Sequence, residues 1–218
     1  AHCYDRLSKQ PDLAKPFVYV ALHCQPERST SPNGGVFAHQ YLMVNLLSQC
    51  VPQGWQVYVK EHQSQFKRFQ RAERSKTVEF YEDMAALENV TLVPLSLNSF
   101  DLMDRAKAVA TISGSVGFEA VVRGVPALIF GHAWYRGCEG TFFIQGRREL
   151  GEAIRLIGGG FPIDQNKVGL FIQAVEDIST RAYIDTIYEK ILNFSPEDNG
   201  AAIAGAIVRH LDDQMQVI

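Results

Sequence analysis

Ser113-Gly114-Ser115-Val116-Gly117 sets two hydroxyls and two glycines between a β-branched apolar run and a stretch at helical spacing. A turn of that kind opens a helix. The first N–H groups of a helix lack partners inside it and lie at the positive end of its dipole. Glycines let a ligand approach the backbone and hydroxyls add donors, which together outline a phosphate site. The same residues fit equally well as an N-cap, with the glycines there for close packing. The turn is not a G-x-G-x-x-G fingerprint, because Gly114 and Gly117 are three apart with no third glycine. It is not a Walker loop either, since no Gly-Lys-Ser/Thr follows.

Lys60-Glu61-His62 ends a second apolar run, Trp55 to Val59. A basic residue and a histidine at the carboxyl end of a parallel strand lie where open α/β sheets bind ligands. A solvent-facing strand terminus would look the same. The loop His23 to Gly35 is long, polar and rich in turn formers, and long loops at strand ends often carry function. It supplies His23 and Glu27. His132 begins a further loop that mixes aromatic, basic and glycine residues. Glu27, His23 and His132 are the candidate proton acceptors, with Glu27 and His132 assigned as catalytic. There is no DxD motif and no His/Cys/Asp/Glu cluster at metal spacing, so no metal and no separate cofactor is expected. The stretch 64–76, SQFKRFQRAERSK, is basic and reads first as a solvated face, second as an attractor of anionic ligands or membrane surfaces.

The elements that must position these groups follow from periodicity. Phe17–Leu22, Trp55–Val59, Val90–Leu95, Ala108–Ile112 and Val125–Phe130 read as buried strands. Val36–Cys50, Thr77–Leu87, Ser99–Lys107 with Ser99 as N-cap, and Phe118–Val122 read as helices between them. Alternation of this kind means right-handed crossovers and a mainly parallel sheet of five or more strands. Loops that follow strands one, two, four and five then gather along one sheet edge. Beyond it, 147–157, 166–178, 180–193 and Asn199–Met215 read as helices, the last capped by Ser195-Pro196-Glu197-Asp198. The expected organisation is a leader or linker at 1–16, a Rossmann-like core at 17–145 and a helical part at 146–218 packed on the same domain.

Composition narrows the classes. A net charge of −3 argues against a general nucleic-acid binder. Cys3, Cys24, Cys50 and Cys138 show neither CxxC nor ligand spacing, which fits a reducing, cytoplasmic setting. No apolar run reaches the length of a membrane span, and no signal peptide is evident. The chain opens without Met in a polar stretch, as a piece cut from a longer protein would.

QPERSTSPNGG, VYVKEHQ and TISGSVGFEAVVRGVPALIFGHAWY resemble the capsule polysaccharide biosynthesis proteins, across about residues 17 to 141. That group includes transferases of 3-deoxy-manno-octulosonic acid. The resemblance implies an α/β fold like the C-terminal, donor-binding domain of a GT-B glycosyltransferase, with a second, N-terminal domain that holds the acceptor. It implies a nucleotide-sugar donor, CMP-sugars among the candidates, and a saccharide or lipid-linked saccharide acceptor at the inner face of the cytoplasmic membrane. Lys60, Glu61 and His62 match a strand-end KEHP motif with the histidine near the donor phosphate, although Gln63 stands where the family has proline. Ser113, Gly114 and Ser115 match the small-residue turn that faces the phosphates, and the helix N-terminus puts the expected phosphate contact on the backbone from Ser113 to Val116. Glu119 looks like the glutamate that binds the nucleotide ribose; a helix-face carboxylate is its bland alternative. A GT-B-like sugar-nucleotide epimerase and a non-catalytic nucleotide-sugar-binding module are the competing functions.

Overall fold

The computed structural model describes residues 2–27, 29–66, 76–185 and 188–215. Arg28 and residues 67–75, which hold most of the basic stretch, lie outside the described residues. Two compact units are present, Ala1–Val168 and Gly169–Ile218.

In the first unit the chain runs through α1 (His2–Leu7), β1 (Phe17–Ala21), α2 (Gln40–Cys50), β2 (Gln56–Lys60), α3 (Val78–Ala85) and β3 (Val90–Leu92). It continues through α4 (Ser99–Arg105), β4 (Ala108–Thr111), α5 (Val116–Val122), β5 (Ala127–Ile129), β6 (Thr141–Phe143) and α6 (Arg147–Gly158). Among the described residues the six strands form one sheet in the order β3-β2-β1-β4-β5-β6, and every neighbouring pair is parallel. This is the order of a doubly wound, Rossmann-like α/β sheet. β6 had not been expected. It is a three-residue edge strand whose side chains are only half buried, so neither length nor apolarity marks it.

Side chains alternate across the sheet, as the pleat requires. Val18, Val20, Val57, Val59, Ala108 and Ala110 face Met43, Val44 and Leu47 of α2, Met84 of α3 and Leu150, Ile154 and Ile157 of α6. Phe17, Tyr19, Tyr58 and Val109 face Leu102 and Met103 of α4 and Ala120 of α5. With both faces covered, the strands read as nearly unbroken apolar runs.

Residues 1–16 contribute Tyr4, fully buried, whose hydroxyl donates to Val93 O at 2.7 Å and accepts from Glu61 N at 3.0 Å. The Val36–Cys50 stretch starts as a 3-10 turn, Gly35–Ala38, before α2 begins at Gln40. The N-cap of α4 is Asn98, not Ser99: the Asn98 side chain accepts from Phe100 N at 2.8 Å. The Ser99 hydroxyl is taken up by Lys60 instead.

α7 (Gln165–Ile178) runs across the boundary between the units, and the second unit also holds α8 (Glu189–Leu192) and α9 (Pro196–Met215). Helix was expected over 180–193; residues 180–185 are not helical, and Tyr183 is instead bracketed by the buried Asn199 side chain at 2.7 and 2.9 Å. Ser195 caps α9 as its sequence implied, its hydroxyl oxygen accepting from Asp198 N at 3.0 Å. Among the described residues no helix is long and apolar enough to cross a membrane.

Candidate functional site

β1 sends its chain to helices on one face and β4 sends its chain to α5 on the other. The crevice between their carboxyl ends is the topological switch point of the sheet. Two adjoining cavities of about 330 Å3 each open there. One is lined by Lys60, Glu61, His62, Ser99, Ser115, Val116 and Glu119. The other is lined by His23, Glu27, His62, Ser113, Gly114, Ser115 and Val116. The sequence candidates from strands one, two and four therefore meet. His132, after β5, lines neither: it is exposed, its ring lies 5.6 Å from that of Phe143, and its Nδ1 accepts from the Arg136 guanidinium.

The β4–α5 turn is tied to the β1 loop through His23. Its Nε2 accepts from Ser113 N at 3.3 Å and lies 3.1 Å from the Thr111 hydroxyl. The proton therefore sits on Nδ1, which donates to Glu27 Oε1 at 2.9 Å. Thr111 Oγ1 in turn accepts from Gly114 N at 3.3 Å, and the Ser113 hydroxyl donates to Ser29 O at 2.6 Å. Ser113 and Gly114 thus spend their N–H groups within the protein. Those of Ser115 and Val116 have no acceptor among the described residues, so the part of the turn open to a ligand is narrower than its sequence implied. Ser115 stands at the helix cap with φ −57° and ψ −24°, without a capping side-chain bond. Its hydroxyl donates to Glu119 Oε1 at 2.8 Å, which fixes that carboxylate at the cavity wall.

Two buried glutamines hold the β1 loop as a strand partner would. Gln40 Oε1 accepts from His23 N at 2.7 Å and Gln40 Nε2 donates to His23 O at 3.1 Å. Gln65 does the same for Gln25, at 2.7 and 3.0 Å. Glu27, at the end of this braced loop, accepts from His23 and from the Ser29 hydroxyl through the same oxygen. Burial alone would raise its carboxyl, but the bonds from His23 and Ser29 and the nearby imidazoles outweigh it and hold the group below the ordinary carboxylate range.

Lys60 and Glu61 part company. Lys60 is 5% exposed and donates to Leu97 O at 2.5 Å and Ser99 Oγ at 2.9 Å, both neutral. Burial pulls its ammonium below the usual lysine range. Glu61 belongs to the core: its two oxygens accept from Lys76 Nζ, from Tyr81 OH at 2.8 Å and from His62 N at 2.7 Å. Its carboxylate is committed to protein partners, where the motif had suggested a donor contact. His62 stays exposed beside both cavities.

Gln40, Gln65, Lys76, Tyr81 and Ser99 carry no local signal in sequence, because each acts on a residue 15 or more positions away. Among the described residues no group of three or more His, Cys, Asp or Glu is placed to hold a metal ion.

The chain is similar in fold to a UDP-GlcNAc 2-epimerase from Methanocaldococcus jannaschii, at 12% identity and a TM-score of 0.50 over 81% of this chain and 48% of that one. It is also similar to the KpsC beta Kdo 2,7 transferase of Thermosulfurimonas dismutans, at 16% identity and TM-score 0.46, over 70% and 49% of the two chains. The C-terminal domain of the group 1 glycosyl transferase LpcC from Francisella tularensis matches at 8% identity and TM-score 0.43, over 72% and 85%. The chain spans about half the length of the first two structures. No curated protein matches it in sequence. A family model described as capsule polysaccharide biosynthesis protein matches residues 29–141, just over half of the chain, with His23 and Glu27 of the site outside the match. The chain belongs to the capsule polysaccharide biosynthesis protein family.

Proposed function

We propose that this domain binds a nucleotide-sugar donor at the β1–β4 crevice and serves glycosyl transfer in surface polysaccharide assembly. One observation carries the reading: among the described residues, a buried lysine bonded to neutral partners, an exposed histidine, two backbone N–H groups without an acceptor and a positioned carboxylate line adjoining cavities at the switch point. Cationic and N–H donors suit phosphate oxygens, and Glu119 suits the vicinal hydroxyls of a ribose. Glu27 is ionised at neutral pH and is the proton acceptor of choice for an attacking hydroxyl. Leaving-group charge would fall on Lys60, His62 and the turn N–H groups, so this reading requires no resident metal. It also assigns the acceptor to a saccharide or lipid-linked saccharide at the cytoplasmic membrane face, with a second domain as the opposite wall of the cleft.

Calorimetric titration with CMP, UDP and their sugars tests the reading and separates the candidate nucleotides. Ser115→Pro removes one N–H at a φ that proline tolerates, and His62→Ala removes the imidazole. Each is expected to weaken nucleotide binding by about tenfold or more. Added chelator is expected to leave binding unchanged. Parent-like affinity in both variants would place the nucleotide elsewhere.

A further inference from the structure

Beyond the loop that follows β1 lies another cavity, of about 300 Å3, lined by Glu27, Thr30, Ser31, His39, Gln40 and Phe80 among others. It shares Glu27 with the cavity that holds His23, His62, Ser113 and Ser115. Its volume is at the lower end for small-molecule sites, about 300–1,000 Å3, and suits a single sugar ring. The wall combines a half-buried aromatic ring with hydroxyls, an exposed imidazole and a carboxylate. A ring offers a surface to the C–H face of a pyranose, and the polar groups suit its hydroxyls.

The wall is preformed. Gln25 Nε2 donates to Thr30 Oγ1 at 3.1 Å and to Ala38 O at 2.8 Å, and Gln40 is locked on the His23 backbone. The rings of His39 and Phe80 lie 6.2 Å apart. Glu27 Oε1 takes the bonds from both His23 and Ser29, at 2.9 and 2.5 Å. Glu27 Oε2 has no partner among the described residues. Glu27 lines both cavities, and that oxygen has no donor there among the described residues.

We propose that this cavity seats a pyranose of the acceptor, with one of its hydroxyls on Glu27 Oε2. The proposal rests on the donor reading of the adjoining cavities. In transfer, the acceptor hydroxyl gives its proton to Glu27 while its oxygen bonds the anomeric carbon of the donor. The bond from that carbon to the nucleotide phosphate breaks, and its electron pair leaves with the phosphate.

Isotope-labelled full chain would be titrated with methyl glycosides of glucose, galactose and N-acetylglucosamine, and separately with CMP and UDP, with amide signals followed by NMR. At least one glycoside is expected to move Thr30, Ser31, His39 and Phe80 and leave Ser115 and Val116 in place. Phe80→Ala and His39→Ala are expected to weaken that glycoside by about tenfold while nucleotide affinity stays at the parent value, which also shows that the variants fold. If no glycoside moves these residues, or if the sugars move only Ser115, Val116 and His62, the assignment is overturned. Glycoside binding at Phe80 without nucleotide binding anywhere would remove the donor reading and leave a saccharide site.

Discussion

Lys76 Nζ lies 2.8 and 2.7 Å from the two carboxylate oxygens of Glu61, and neither side chain is more than 1% exposed. The pair bridges the ends of two strands, since Lys76 also donates to His23 O at 2.7 Å and Glu61 accepts from His62 N. Burial pulls the Lys76 ammonium below the ordinary range, and Glu61 pulls it back. Removing one partner strands the other charge in the core. Lys76→Met or Glu61→Leu is expected to cost about 3–5 kcal/mol in chemical denaturation, and the double variant to recover most of it. Additive losses would show that the two charges do not depend on each other.

Gly117 lets α5 approach β5. A Cβ there would meet Ile129 Cδ1 at 2.9 Å and would collide with the Tyr135 hydroxyl, which donates to Gly114 O. Gly117→Ala is therefore expected to lose about 1–3 kcal/mol of stability. Tyr135→Phe removes the colliding oxygen, so the alanine should cost less in that background. A double-mutant cycle measures the difference, and zero coupling would sink the packing argument.

Local chemistry and period were enough to read five of the six strands and to place the turn. Val18, Val20, Val57 and Val59 announce buried strands, and the helices between them dictate parallel crossovers. The convergence of Lys60, His62 and Ser115 then follows from topology alone. What sequence could not show is which polar groups the fold consumes. Glu61 and His62 are adjacent in one motif, yet one is locked to Lys76 and Tyr81 and the other faces the cavities. His23 reads as a free base until Thr111, 88 positions on, claims its Nε2. His132 follows a strand as the others do, but the Arg136 guanidinium and the Phe143 ring hold it away from them.

Glu27 predicts a loss of stability in acid. Burial would raise its folded pKa, but the bonds from His23 and Ser29 and the nearby imidazoles outweigh it, so the value lies below the reference of 4.5. The stabilisation it gives is fully present above pH 4.5 and is lost as pH falls through the depressed folded value. Glu27→Gln should therefore be less stable than the parent at neutral pH and converge with it in acid. Thermal melts across that range check this; a gap that widens toward low pH would mean the carboxylate is held by something else.

Lys60 sets a contest between stability and binding. Its burial with neutral partners disfavours the charged form, so its folded pKa lies below 10.5. The unfolded chain then holds the proton more firmly, and the cost to the fold is present at neutral pH and fades as pH climbs toward 10.5. Lys60→Met removes the buried charge and keeps most of the stem volume, so the variant should be at least as stable as the parent at pH 7. An anion in the cavity supplies a counter-charge that Leu97 O and Ser99 Oγ do not. The same substitution should therefore weaken nucleotide binding by about tenfold and flatten its dependence on ionic strength. Ser99→Ala provides the comparison, because it removes a neutral partner and leaves the charge. Denaturation and calorimetry on the parent and both variants decide the matter. A Lys60→Met protein that loses stability and keeps parent affinity would show that the lysine is a structural strut and not part of the anion site.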